Sequence, residues 1–191
     1  EKCGIIKPGR PVVAAGMDEH ALDVIRRVAR ERRCPLIEAA AAVNVSAASV
    51  SLKGQKVKVE TGGTSYGTLT LPLLGRHQLG NLATAVAAIE ALDEAAGMSI
   101  GEDFVKKGVG AVSWPGRFQV LKESPPMILD GAHNADSLNK MLLGLKRHFL
   151  YQHLIVVFGV LKDKDLKGML EVLIPEVSVL ILTQPSHPRA L

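Results

Sequence analysis

The sequence predicts an α/β protein, and three observations carry that prediction. From about residue 113 onward, apolar runs of strand length alternate with amphipathic runs of helix length. That alternation is the pattern of a parallel sheet covered on both faces. Ser113-Trp114-Pro115-Gly116-Arg117-Phe118 sets a Pro-Gly turn at the head of one strand, and Ile128-Leu129-Asp130-Gly131-Ala132-His133-Asn134 closes the next where a helix begins. Of the 191 residues, 47% are apolar and 22% charged, so a packed core is available. Only 4% are aromatic, so that core rests on Val, Leu, Ile and Ala.

Taken in order, Pro11–Ala15 is a short apolar strand. Asp18 is placed to cap the following helix, since a carboxylate accepts from open first-turn N–H groups. Ala21, Leu22, Val24, Ile25 and Val28 keep roughly helical spacing to about Arg33, and Cys34-Pro35 breaks the helix before a strand starts at Leu36–Ile37. The Ala-rich stretch 39–48 is ambiguous in its pattern. Lys56–Glu60 alternates Lys and Val, as a half-buried strand does. Thr61–Thr64 is turn chemistry and Thr68–Leu74 alternates again, which predicts a hairpin with Pro72 at an edge or near a strand end. Leu79–Ala96 is a strong helix ended by Gly97, and Gly101–Gly108 is a second, short one. Trp114-Pro115-Gly116 marks a domain boundary. Beyond it come strands at 118–122 and 127–130, a helix at 136–149, a strand at 154–158, a helix at 164–173 and a strand at 178–183.

Bulk properties exclude several functions. A formal charge of +4 suits an anionic small substrate without demanding one. The densest basic run, Arg26-Arg27 to Arg32-Arg33, reads as a solvated helix face rather than a nucleic-acid surface. Scarce aromatics argue against a stacking platform for single strands. Two cysteines, Cys3 and Cys34, make neither a disulfide framework nor a four-thiolate zinc site, and free thiols suit a reducing cytoplasm. No apolar run approaches the roughly 20 residues of a membrane span, and no secretory signal precedes the first strand. The chain opens on Glu1 and closes just after a strand, so both ends are expected to be cut.

The polar residues at strand ends leave alternatives open. Asp130 ends a buried strand, where open α/β sheets bind ligands; it also suits a structural loop bond. Gly131 permits a sharp turn or close approach. His133 and Asn134 flank a helix start, whose N–H groups favour anions, yet Asn134 or Asp136 equally suits a cap. Arg117 offers a planar fork for phosphate, or is simply exposed. Asn81, before the longest helix, either caps it or reads an adenine edge. Lys2 is a terminal lysine, and Lys162-Asp163-Lys164-Asp165 a solvated loop and cap. No Gly-x-x-x-x-Gly-Lys-[Ser/Thr] loop occurs, and no His, Cys and carboxylate cluster has metal spacing.

Six ordered blocks together resemble one family. Glu1-Lys2-Cys3-Gly4-Ile5-Ile6-Lys7-Pro8-Gly9 resembles the Glu-Lys-Ala-Gly-Ile-Ile-Lys-Pro segment of folylpolyglutamate and dihydrofolate synthases, ATP-dependent amide ligases of the Mur ligase superfamily. Gly75–Ala85, with His77-Gln78 and Asn81, is similar to their Gly-x-His-Gln-x-x-Asn helix start. Trp114–Arg117, Leu129–Asn134, Phe158-Gly159 with Asp163-Lys164-Asp165, and Thr183-Gln184-Pro185 with Arg189-Ala190 resemble the remaining blocks. Cys3 stands where Ala is frequent, and Ala135 where Pro is.

That resemblance implies a fold and an activity. Residues 1–112 would be the C-terminal half of a P-loop-type, ATP-binding central domain. Residues 113–191 would be a truncated, Rossmann-like C-terminal glutamate ligase domain with a mostly parallel sheet. The P-loop and most of the folate site would precede Glu1, so the 191 residues alone are expected to be inactive. The family joins L-glutamate to a folate (tetrahydrofolate or dihydropteroate) through a γ-carboxylate, using ATP and Mg²⁺ and an acyl phosphate. Carried over by position, Asn81 would contact adenine, Arg117 the phosphates and Asp130 the ribose region, all three facing one cleft between the domains. Lys2 matches a lysine carbamoylated to hold a second Mg²⁺, and His133 sits where the incoming glutamate is oriented. A cytoplasmic monomer without nucleic-acid or membrane partners is expected. A Mur-type peptidoglycan precursor ligase and a non-catalytic nucleotide-binding module are the alternatives.

Overall fold

The computed structural model describes residues 2–184, 186, 188 and 189. Glu1, Pro185 and Ala190 of the motif blocks lie outside the described residues. The chain divides into two compact units, Glu1–Ser113 and Trp114–Leu191.

In the first unit, strand β1 (Val12–Ala14), helix α1 (Glu19–Glu31) and strand β2 (Leu36–Glu38) form a β-α-β unit, with Val12, Val13 and Ala14 paired in parallel to Leu36, Ile37 and Glu38. Asp18 caps α1 by accepting from the His20 N–H at 3.0 Å. The basic run of α1 is not uniformly solvated. Arg26 reaches Glu38 of β2 with two bonds, Nε to Oε1 at 2.7 Å and Nη2 to Oε2 at 2.8 Å, and also pairs with Glu19 and with Asp23. A planar guanidinium matches a carboxylate in this bidentate way, which is why one arginine of the run is drawn off the solvent face. Arg32 likewise donates to the Ile6 carbonyl.

The Ala-rich stretch resolves into one helical turn, α2 (Ala39–Ala42), and then strand β3 (Val43–Ser51). Alanine favours helix, yet pairing wins here. Strand β4 (Gly54–Thr61) lies antiparallel to β3 along its length, and β5 (Ser65–Leu71) to β4, giving the order β3-β4-β5. Val57 and Val59 are fully buried while Lys56 and Lys58 face water, the alternation expected of a sheet with one covered face. Helix α3 (His77–Ala96) covers that face with Leu82, Ala83, Val86 and Ala87; helix α4 (Glu102–Gly110) adds Val105 and Val109. Small alanines let α3 lie close to the strands. Gly97 ends α3 in the left-handed region at φ 62°, its N–H donating to the Asp93 carbonyl at 2.7 Å.

In the second unit, β6 (Gln119–Glu123) and β7 (Pro126–Leu129) form an antiparallel hairpin. Helix α5 (Ala135–His148), strand β8 (Ile155–Phe158), helix α6 (Leu166–Leu173) and strand β9 (Val179–Leu182) follow, and β8 and β9 pair in parallel. The expectation of a parallel sheet covered on both faces needs correction here. Val156, Phe158 and Leu180 pack against Leu138, Met141, Met169 and Leu173 of α5 and α6. Both helices thus cover the same face of the pair. On the other, Ile155 is 61% exposed and Val157 66%, with Val179 and Ile181 also exposed. No helix among the described residues is long and apolar enough to cross a membrane.

Candidate functional site

The turn that enters β6 and the turn that leaves β7 are laced together. The Phe118 N–H donates to Asp130 Oδ2 at 2.7 Å, and the Ala132 N–H to Asp130 Oδ1 at 2.8 Å. The Gly131 N–H donates to the Gly116 carbonyl at 2.7 Å. These bonds bracket Arg117. The close crossing explains Gly131: a Cβ there would lie 3.3 Å from the Gly116 oxygen. The turn also requires left-handed backbone at Gly116 (φ 72°) and at Phe118 (φ 45°). Glycine adopts this freely, but a bulky aromatic residue is an outlier there. Phe118 is nonetheless buried, with its ring against Gly144 of α5 and 5.9 Å from the His148 ring. Burial, and then the Arg147 charge, hold His148 below its ordinary value.

Arg117 itself projects to solvent with its guanidinium 5.9 Å from the centre of the Trp114 ring, within cation–π range. Asp130 performs the structural bonds considered for it, and a carboxylate with two bonds retains acceptor capacity for a ligand hydroxyl. Asn134 caps α5 in a capping box: its Oδ1 accepts from the Ser137 N–H at 2.8 Å, while Ser137 Oγ accepts from the Asn134 N–H at 3.1 Å. His133 is exposed, with Nδ1 3.0 Å from the Gly131 carbonyl. A carbonyl only accepts, so Nδ1 is the donor of that bond, and Nε2 is the ring nitrogen that faces a ligand. Arg117, Asp130 and His133 thus stand on neighbouring turns at one end of the β6–β7 hairpin.

The remaining sequence candidates belong to other elements. Asn81 is not the cap of α3. The helix begins four residues earlier than Asn81, at His77, so Asn81 occupies its second turn. It is exposed, and its Nδ2 donates to Oε1 of the buried Gln78 at 2.8 Å. Gln55, the other buried polar residue among those described, donates to the Leu73 and Gly75 carbonyls and so fixes the chain just ahead of α3. Sequence reasoning missed Gln55, whose only signal was a polar residue at a core-facing position, and read Gln78 as part of a motif without its burial. Lys2 is exposed in a short 3₁₀ turn, Lys2–Ile5. Asp165 caps α6 through the Gly168 N–H at 3.0 Å, and Asp163 pairs with Lys164 at 2.8 Å. Among the described residues, no three His, Cys, Asp or Glu side chains are grouped to hold a metal.

Residues 116–191 match the Mur ligase glutamate ligase domain. Over its whole length the chain is 32% identical to a dihydrofolate synthase/folylpolyglutamate synthase of Bacillus subtilis and 29% identical to a folylpolyglutamate synthase of Lacticaseibacillus casei, spanning 44% of each. Its backbone superposes on Mycobacterium tuberculosis folylpolyglutamate synthase complexed with ADP with a TM-score of 0.88 at 28% identity, covering all of this chain and 43% of that one. The apo form of the L. casei enzyme gives 0.83 at 27%, covering all of this chain and 45% of that one. The chain therefore spans under half the length of these relatives. The match to the glutamate ligase domain and the likeness along the full chain agree on one assignment: the chain belongs to the family of folylpolyglutamate and dihydrofolate synthases, within the Mur ligases.

Proposed function

We propose that the protein to which these residues belong is an ATP-dependent ligase that joins L-glutamate to a folate. Likeness over the entire chain to a synthase solved with ADP is the observation that carries this reading. A related structure holding AMPPCP and folate extends it to the second substrate. In this reading residues 1–112 are the C-terminal half of the P-loop-type central domain. Residues 113–191 are the Rossmann-like ligase domain of a cytoplasmic monomer. The γ-phosphoryl group of ATP passes to the folate's terminal carboxylate, releasing ADP. The glutamate amine then attacks the acyl carbon, inorganic phosphate leaves with the C–O bond electrons, and the amine gives up a proton. Phosphate leaves readily, so activation lowers the barrier to amide formation.

Each chain residue has a task in this scheme. The Arg117 fork neutralises phosphate charge that builds during transfer. Asp130 accepts from a ribose hydroxyl with its remaining lone pairs, and Asn81 reads adenine with its amide. The outward Nε2 of His133 accepts from the glutamate ammonium and orients it. The described residues of this chain do not by themselves make a metal site. An ammonium at Lys2 does not fit Mg²⁺, and only its carbamate would. The relatives favour the folate branch over a Mur-type cell-wall ligase. Phosphate release by the full-length protein should require ATP, a folate and glutamate together. Release with a peptidoglycan precursor instead of folate, or with neither, would overturn the assignment.

A further inference from the structure

We propose that Phe118, seated on Gly144 of α5, is a positioning residue for Arg117, and that Asp130 is the clasp that completes the seat. Three independent features converge on this turn. Phe118 holds a left-handed backbone at φ 45°, which a bulky side chain adopts only when its surroundings over-determine it. Its N–H is fixed to Asp130 Oδ2 at 2.7 Å, and its ring is buried. Gly144 lies inside a helix, where alanine is the better former, yet a Cβ there would come within 2.6 Å of the Phe118 ring. The helix thus carries a notch that the ring fills. With residue 118 pinned on one side and Gly116 bonded to Gly131 on the other, Arg117 has no freedom to swing its backbone. Its guanidinium is therefore directed over Trp114 and along Gly131, with Nη1 3.8 Å from where a Gly131 Cβ would lie. A phosphate clamp prepared in this way loses little entropy on binding. The functional consequence rests on the reading of Arg117 as the phosphate contact; the positioning itself does not.

Trp114 is the sole tryptophan, so its emission reports where the guanidinium stands. In the 191-residue chain, Arg117→Ala sets the reference change in intensity and wavelength. Gly144→Ala and Phe118→Leu should each shift emission in the same direction at unchanged far-UV circular dichroism. The double variant, with the smaller side chain relieving the added methyl, should return it toward wild type. A merely structural role would lower the urea midpoint without touching emission. If Gly144→Ala does not fold, Phe118→Leu decides alone. Wild-type emission in the folded single variants overturns the proposal. In the full-length ligase, Gly144→Ala should raise KM for ATP at least fivefold, as Arg117→Ala does. If emission moves but neither variant alters the ATP kinetics, the phosphate reading fails and the positioning stands. If Arg117→Ala alters them and Gly144→Ala alters neither kinetics nor emission, the positioning fails and the reading stands.

Discussion

The Phe118 N–H and the Asp130 carboxylate are bonded at 2.7 Å across the open end of the β6–β7 hairpin. One side chain thereby holds two turns, because its other oxygen takes the Ala132 N–H. Asp130→Ala leaves both donors without their partner. A donor so orphaned costs about 1–3 kcal/mol when shielded from water. The partly buried pair here should lower stability by about 2 kcal/mol in urea unfolding. Asp130→Asn, which keeps one acceptor oxygen, should lose less.

Arg117→Ala should act on chemistry rather than folding. The guanidinium is exposed and has no carboxylate partner among the described ion pairs, and exposed charges contribute little to stability. In the full-length protein kcat/KM for ATP should fall by roughly tenfold to a hundredfold, as for loss of a charge-assisted clamp. The melting temperature should move by less than about 2 °C. Steady-state kinetics beside a thermal melt checks both halves.

Glu38 supplies a pH signature. The hydrogen bonds from Arg26 hold its carboxyl below the ordinary carboxylate range. A depressed folded-state value means that the pairing contributes above the unfolded-state value and is lost as pH falls through the folded one. The melting temperature should therefore drop on acidification through and below that range. Glu38→Gln should flatten this part of the profile, while other carboxylates continue to titrate.

Tyr66 supplies the opposite sign. Burial first, then its bond to Glu90 at 3.0 Å, push its hydroxyl up to about 12 from an ordinary value near 10. Stability from the protonated phenol is complete below the unfolded value and is lost as pH rises from about 10 to about 12. In a spectrophotometric titration Tyr66 should ionise at about pH 12. Tyr66→Phe should remove both that step and the alkaline loss.

The 191 residues by themselves should neither release phosphate from ATP nor bind it at micromolar concentrations. They contain no glycine-rich loop with its lysine, the element on which phosphate affinity in such folds rests. Calorimetry with ATP and Mg²⁺, beside a phosphate-release assay with tetrahydrofolate and glutamate, measures this.

Much of the fold was legible because its signals are local. Asp18, Asn134 and Asp165 announce helix starts, and Gly97 an end, through chemistry contained within a few residues. Strand β3 was hidden, because alanine and serine carry no period and only pairing with β4 makes them a strand. The start of α3 was read late, since Gln78 looks like a pre-helix polar residue until its burial is seen. The uncovered face of β8 and β9 was read as covered because an all-apolar strand looks the same whether one or both faces meet protein. Motif blocks singled out Arg117, Asp130 and His133, which the fold sets on neighbouring turns. The notch at Gly144 joins residues 26 apart, and nothing local marks it.

The uncovered face of β8 and β9 governs how these residues behave in a tube. Ile155, Val157, Val179 and Ile181 form a contiguous apolar strip on strands short enough to stay flat, and such strips drive association. The polypeptide should bind a fluorescent apolar dye in its native state and lose solubility as sulfate is raised. Expression of these residues alone should thus favour inclusion bodies, and replacing Val157 with lysine should raise the recoverable yield without disturbing the helices on the opposite side.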